Sequence, residues 1–238
     1  MRETIRRDYW NPDCGFYTFG PKGSVSYEKH HWENLGQSLA VWPQWGYSDP
    51  DRVNSVFAHK GVAYTKYGFA DLNYTSRDGD EGLHGQEHWM FTEVGEAAAM
   101  ARVGRIDELR ELLATNIRTA AMHKTFYEVV DWKTGKAWRY PGQLWHAMGY
   151  VSMIYFGVLG LQYDENGIAF PNACVPEPLE DLTVGGFKYR DANLRISVKG
   201  WGVYDGLRLD GKPVEKIPAT LAGDHMVEIA LRRPGAGG

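Results

Sequence analysis

Apolar positions along the first two thirds of the chain recur at helical spacing. In HHWENLGQSLAVW, residues 30–42, Trp32, Leu35, Leu39 and Trp42 share one face, and Pro43 closes the segment. Asp49 before Pro50 reads as an N-cap followed by the first helical residue, opening a helix that runs to Lys60 before Gly61. Residues 88–104 carry an alanine-rich run stopped by Gly104. Residues 105–123 follow at once, with Ile106, Leu109, Leu112, Leu113 and Ile117 on one face. So short a break predicts antiparallel neighbours, an αα-hairpin. QLWHAMGYVSMIYFGVLGL, residues 143–161, is apolar almost all round, which predicts a buried helix. Gly36, Gly95 and Gly149, inside three of these segments, suit close approach of neighbouring helices.

Beyond residue 161 the period changes to two. YDENGIAF, LTVGGFKYRDANLRISVKGWGVYDGLRLDG and DHMVEIALRR alternate apolar and polar residues. Turn signals interrupt them at residues 165–167, at 191–193 and at Asp210 with Gly211. ACVPEPLED reads as the connection into this part, and the tail PGAGG as disordered. The expected fold is therefore mainly α with a C-terminal β part: paired helices over residues 1–161, then a small antiparallel β-sandwich over 162–238.

Composition changes this picture in one respect. Nine Trp and 14 Tyr raise the aromatic share to 13%, and most of the Trp precede residue 146. Two readings stand: an aromatic-rich core, or a carbohydrate site in which flat indole faces stack on the apolar faces of sugar rings. A net charge of −4 gives no reason to expect nucleic acid. No apolar run approaches the length that spans a membrane. MRETIRRDYW has basic residues but no apolar h-region, so it does not read as a secretory signal, and a cytoplasmic location is favoured. Cys14 and Cys174 form no metal-like spacing and read as two free thiols, with pairing in an oxidising compartment the alternative.

GLHGQEHWMF, residues 82–91, spells H-x-x-E-H with His84, Glu87 and His88, the zinc signature of inverted metalloproteases. That chemistry needs both histidines one turn apart on a helix, with a third ligand downstream. Glycines at 82 and 85 oppose such a helix, and Glu165, the obvious late carboxylate, lies in a turn. Short motifs also match by accident. The zinc reading is set aside, no metal ligand is assigned, and no cofactor is called for.

Several stretches resemble, in order, the C-terminal half of the (α/α)6 or six-hairpin glycosidases, closest to family 63 glycoside hydrolases and mannosylglycerate hydrolases. They are WENLGQSLAVWPQWGYSDPDR, YGFADL with LHGQEHWMF, FYEVVDWKTG with QLWHAMGYVSMI, and the region from GIAFPNACVPEP onward. The resemblance implies helical hairpins of an incomplete (α/α)6 toroid, trailed by a β module. It implies hydrolysis of an O-glycosidic bond with inversion, acting on α-linked glucosides or mannosides or a related oligosaccharide. Inverting glycosidases need an acid to protonate the leaving oxygen and a base to activate water. Glu128, in the loop that continues to Thr134 and Gly135, matches the base, with Asp131 as fallback. The acid of the family lies on an earlier hairpin. Six hairpins need roughly twelve helices and this chain offers roughly five or six, so the N-terminal half of the barrel, and the acid with it, is expected to be missing. Glu33 and Glu87 are acidic but match no acid motif. The chain is thus read as a C-terminal fragment whose activity in isolation is in question.

Sugar contacts implied by the same resemblance are Trp89 and Trp145. Trp32, Trp132 and Trp138 are further platforms, and His84 and Glu87 are partners for hydroxyls. Gln143 either binds hydroxyls through its amide or caps the last helix. Two other functions stay in view: a disaccharide phosphorylase of the same fold, for which no phosphate cradle precedes QLWHAMGY, and a non-catalytic carbohydrate-binding remnant.

Overall fold

The computed structural model describes residues 2–44, 49–62, 65–71 and 87–233. It corrects the expected class. The fold is mixed, 38% helix and 32% strand, with a curled mixed sheet, and is not mainly helical hairpins followed by an antiparallel sandwich. Two units divide the chain. One comprises residues 1–99 and 111–153, the other 100–110 and 154–238.

The first unit opens with helix α1 (Arg2–Asp8) and an antiparallel pair, β1 (Trp10–Asn11) with β2 (Phe16–Tyr17). Helix α2 (Val25–Glu28) is a single turn capped by Ser24. Helix α3 (Asn34–Val41) begins later than its apolar spacing predicts, because Glu33 is its cap. The Glu33 carboxylate accepts the N–H groups of Leu35 (3.2 Å) and Gly36 (2.5 Å). Starting there turns Asn34, Gln37, Ser38 and Val41 inward and leaves Leu39 exposed. Helix α4 (Pro50–Val62) starts as read, with Asp49 Oδ1 accepting the Arg52 N–H at 2.9 Å.

The segment expected to be helical from residue 88 is not. Strand β3 (Glu87–His88) comes first, then a 3-10 turn (Met90–Glu93), and only then helix α5 (Val94–Arg102). Helix α6 (Ile106–His123) buries Leu109, Leu112 and Leu113 as its periodicity predicts. Ile117 is exposed, however, while Thr115, Asn116 and Thr119 are buried. The reason is a polar core. Lys60 Nζ donates to Glu93 Oε1 (2.8 Å) and to Glu96 Oε2, and Asn116 Nδ2 donates to Glu93 Oε2 (2.9 Å). A buried cation and carboxylates require such partners, and α6 supplies one.

Strands β4 (Tyr127–Asp131) and β5 (Ala137–Pro141) form a hairpin where a loop was expected, and β3 joins β4 to complete a three-stranded sheet. Their β-branched and aromatic residues favour a pleated surface. Asp131 Oδ1 accepts the N–H groups of Lys133 and Thr134, closing the turn, with Gly135 at φ +75°. Helix α7 (Leu144–Ser152) ends the unit and is half the length expected; the segment is not a buried helix. Leu144, Trp145, Met148 and Val151 are exposed, and a π-helical stretch (Met153–Val158) takes over.

The second unit holds the period-two region. Strands β6 (Gln162–Asp164) and β7 (Gly167–Ala169) form the hairpin read from YDENG, joined by β13 (Ile217–Pro218). The larger sheet runs β12 (Lys212–Pro213), β11 (Gly202–Leu209), β14 (Ala222–Arg232), β10 (Asp191–Lys199), β9 (Thr183–Tyr189), with β8 (Cys174–Val175) also on β11. Inward positions alternate: Ala192, Leu194, Ile196 and Val198 on β10. β14 is antiparallel to β11 and parallel to β10, which corrects the all-antiparallel expectation. The excursion through β12 and β13 brings the last strand back between two strands of opposite direction, so it must run parallel to one of them. Residues 191–193 are strand, and the turn before them falls at Arg190, at φ +50°. The hairpin at Asp210 and Gly211 forms as read. Cys174 is a buried free thiol of this unit; Cys14, in the first unit, is also free.

Candidate functional site

The three-stranded sheet β3-β4-β5 of the first unit brings several of the singled-out side chains together. Strand alternation turns Glu87 and Trp89 to one face and His88 to the other. Glu87 is fully buried, and the Trp89 indole N–H donates to its Oε2 at 2.9 Å. On the neighbouring strand, Tyr127 pairs with Pro141 and Val129 with Trp138, so Glu128 lies opposite two residues, Arg139 and Tyr140. This β-bulge breaks the alternation of the hairpin and re-aims the side chains around it. Arg139 adopts φ +65°, a left-handed conformation that costs a residue with a Cβ about 1–2 kcal/mol.

From that position Arg139 spans two carboxylates. Its Nη1 donates to Glu128 Oε1 at 3.0 Å, and its Nη2 lies 3.7 Å from Glu87 Oε1. The arrangement Glu128–Arg139–Glu87–Trp89 is thus continuous. Glu128 keeps some access, with a side chain 13% exposed, whereas Glu87 has none. Arg139 was not singled out in the sequence, because its place opposite Glu128 depends on a bulge that local spacing does not show.

Asp71 is the other residue that sequence reasoning missed. Its N–H donates to the Glu87 carbonyl at 2.9 Å, and its own carbonyl accepts from Asn34 N–H at 2.8 Å. It therefore sits between the capping Glu33 and Glu87. Burial first, then the charges of Glu33 and Glu87, push the Asp71 carboxyl up to about 7. A carboxyl at that value is half protonated at neutral pH and can both give and take a proton.

His146, on α7, lies beneath the same sheet. Its Nδ1 accepts the Phe91 N–H at 3.2 Å, and its Nε2–H donates to the Glu128 carbonyl oxygen at 2.6 Å. Burial brings its imidazole down to about 4, so it is neutral near pH 7.

The remaining predicted contacts fall out differently. Trp145 is 59% exposed, with Phe91 edge-on at 5.5 Å. Gln143 precedes α7 but makes no side-chain cap; its main-chain N–H donates to the Phe126 carbonyl, so the capping alternative does not hold. Trp32 is a core residue, fully buried against Phe16, His59 and Phe69, and presents no face to a sugar. Asp131, the fallback base, is spent on the hairpin turn. Trp132 and Trp138 are half-buried on that hairpin. His84 lies outside the described residues. Glu87 and His88 form a strand and point to opposite faces, so the helical zinc arrangement is not made by these two residues.

No family model matches the chain, and no curated protein does. Among solved structures it is similar to an uncharacterized conserved protein from Thermus thermophilus, at 16% identity and TM-score 0.44 over 62% of this chain and 37% of that one. It is also similar to a GH63 mannosylglycerate hydrolase from Thermus thermophilus, solved in complex with glucose, at 16% identity and TM-score 0.46 over 61% and 36%. The chain spans less than half the length of both, and a likeness this slight assigns neither a family nor a function.

Proposed function

We propose that the first unit carries part of the active site of an inverting glycoside hydrolase acting on α-linked glucosides or mannosides. One observation carries the reading: an accessible carboxylate, Glu128, is oriented by Arg139 in a bulged hairpin, on one continuous chain with Glu87 and the Trp89 indole. The Arg139 Nη1–H donates to Glu128 Oε1 at 3.0 Å and so fixes the direction of the carboxylate, as a base that takes a proton from water needs. The tryptophans Trp89 and Trp145 supply flat faces of the kind that sugar rings stack on.

The acid is assigned to Asp71. Burial and like charge raise it to about 7, as they do Glu96, but Asp71 is also joined to Glu87 through its main-chain N–H, and inverting hydrolysis requires a carboxyl that still holds its proton near neutral pH. Glu128→Gln is expected to abolish hydrolysis of α-linked disaccharides while quenching of Trp fluorescence by the sugar persists. Asp71→Asn is expected to lose the same hydrolysis yet retain turnover of substrates whose leaving group needs no proton. Turnover that survives Glu128→Gln removes Glu128 as the base.

A further inference from the structure

His146 is 1% exposed and engages two main-chain groups from different elements. Because Nδ1 accepts the Phe91 N–H, that nitrogen carries a lone pair, and the proton must sit on Nε2, where it is donated to the Glu128 carbonyl. One tautomer satisfies both bonds. Phe91 lies at the start of a 3-10 turn, where N–H groups have no partner within the turn. Glu128 lies at the bulge, where the ladder is interrupted. The imidazole therefore bonds the main chain at two places where regular structure does not. Its ring is flanked by Phe91 and Trp89, with centroids at 5.8 and 6.1 Å.

We propose that His146 is a positioning residue for Glu128: it ties the strand carrying the carboxylate to the turn that follows Trp89, and so holds the Glu128–Arg139–Glu87–Trp89 chain in register. The role as an aid to catalysis rests on the glycosidase reading; the role as a clamp does not. The imidazole stays neutral through the physiological range, so it acts by holding the main chain and not by moving a proton.

Two substitutions separate its two bonds. The amide of Gln reaches the place of Nε2 and can still donate to the Glu128 carbonyl. The amide of Asn reaches only the place of Nδ1 and can still accept from Phe91. The first readout is hydrogen exchange of the Arg139 guanidinium, followed by NMR on the full chain. His146→Asn is expected to speed it at least about tenfold, and His146→Gln to leave it within about threefold. Unchanged exchange in His146→Asn overturns the clamp, as does equal acceleration in both variants, which would make the ring a space-filler. If His146→Asn does not fold, the tautomer decides. Nitrogen shifts of the wild type near pH 7 should show a proton on Nε2 alone, and an imidazolium or an Nδ1 proton overturns the proposal.

The second readout is kinetic. His146→Asn should lower kcat on an α-glycosyl fluoride at least about tenfold with KM within about twofold, and His146→Gln should restore most of it. A change in KM with kcat intact overturns the positioning role. A wild type that hydrolyses no glycoside sinks the glycosidase reading instead, and the exchange measurement still decides the clamp.

Discussion

At the scale of single residues, the glycines divide by what lies next to them. A Cβ on Gly95 would overlap the Ser38 carbonyl oxygen, and one on Gly149 would stand 2.7 Å from Phe91 Cα. Both are backbone groups of packed neighbours that cannot move aside. Gly36 differs, since its nearest atom is the Glu33 carboxylate, the end of a side chain that can shift. Close approach was legible at Gly95 and Gly149, where an apolar helix pattern surrounds a glycine. It was misread at Gly36, where the neighbour is a cap. Gly95→Ala is expected to cost about 2 kcal/mol or more, a fall in Tm of about 4–8 °C by calorimetry, and Gly36→Ala much less. Of the proposed site, Glu128, Glu87 and Trp89 could be singled out because they sit in recognisable runs. Arg139 and Asp71 could not. Their importance comes from a bulge and from burial among carboxylates, and neither leaves a mark in local spacing.

At the scale of elements, α4, with its Asp49-Pro50 start, and α6, set off by Gly104, formed close to where the spacing placed them. The start of α3 was misplaced because its cap is a glutamate, and the last helix because nothing in its apolar run marks where it ends. Residues 143–161 carry no stop signal at Ser152, where the helix gave way to a π-helical stretch. The strands around Glu128 were hidden because five-residue runs of valine and aromatics carry too short a pattern to tell strand from loop. The polar interior joining α4, the 3-10 turn, α5 and α6 could not be read either, since Lys60, Glu93 and Glu96 look like ordinary surface charges. Lys60 and Asn116 favour ionised Glu93. Glu96 shares that cation, but its Oε1 has no hydrogen-bond partner among the described residues, and burial outweighs Lys60 to bring the carboxyl up to about 7.

A buried acid of this kind makes stability depend on pH in a definite direction. The unfolded chain releases the Glu96 proton near the ordinary value of 4.5, while the folded chain keeps it until about 7. Stability from this group is therefore present below about pH 4.5 and is lost as pH rises to about 7. Glu96→Gln removes the dependence. Chemical unfolding at about pH 5 and pH 8 should show the variant gaining on the wild type by on the order of 1 kcal/mol or more at the higher pH. His146 slopes the other way in both proteins and cancels in the difference. A gap between the two proteins that does not change with pH would show that Glu96 is ionised when folded.

At the scale of the whole molecule, the division into a mostly helical beginning and a β-rich end was visible in the change of period after residue 161. The class built on it was wrong. A sheet within the first unit and a parallel strand pair in the second make the fold mixed. Long-range pairing decides both features: β3 meets β4 across about forty residues, and β14 enters its sheet after a long excursion. The functional reading is concentrated in one unit, and its central claim is that Glu128 activates water. α-Glucosyl and α-mannosyl fluorides test that claim most directly, because fluoride leaves without a general acid and only the base is needed. The measurement is fluoride release by the chain, with the first-formed anomer followed by proton NMR. The account predicts turnover of at least one of the two fluorides, with the β-anomer appearing first and the reaction lost in Glu128→Gln. Release that is equal in the wild type and Glu128→Gln, or an α-anomer formed first, would contradict it.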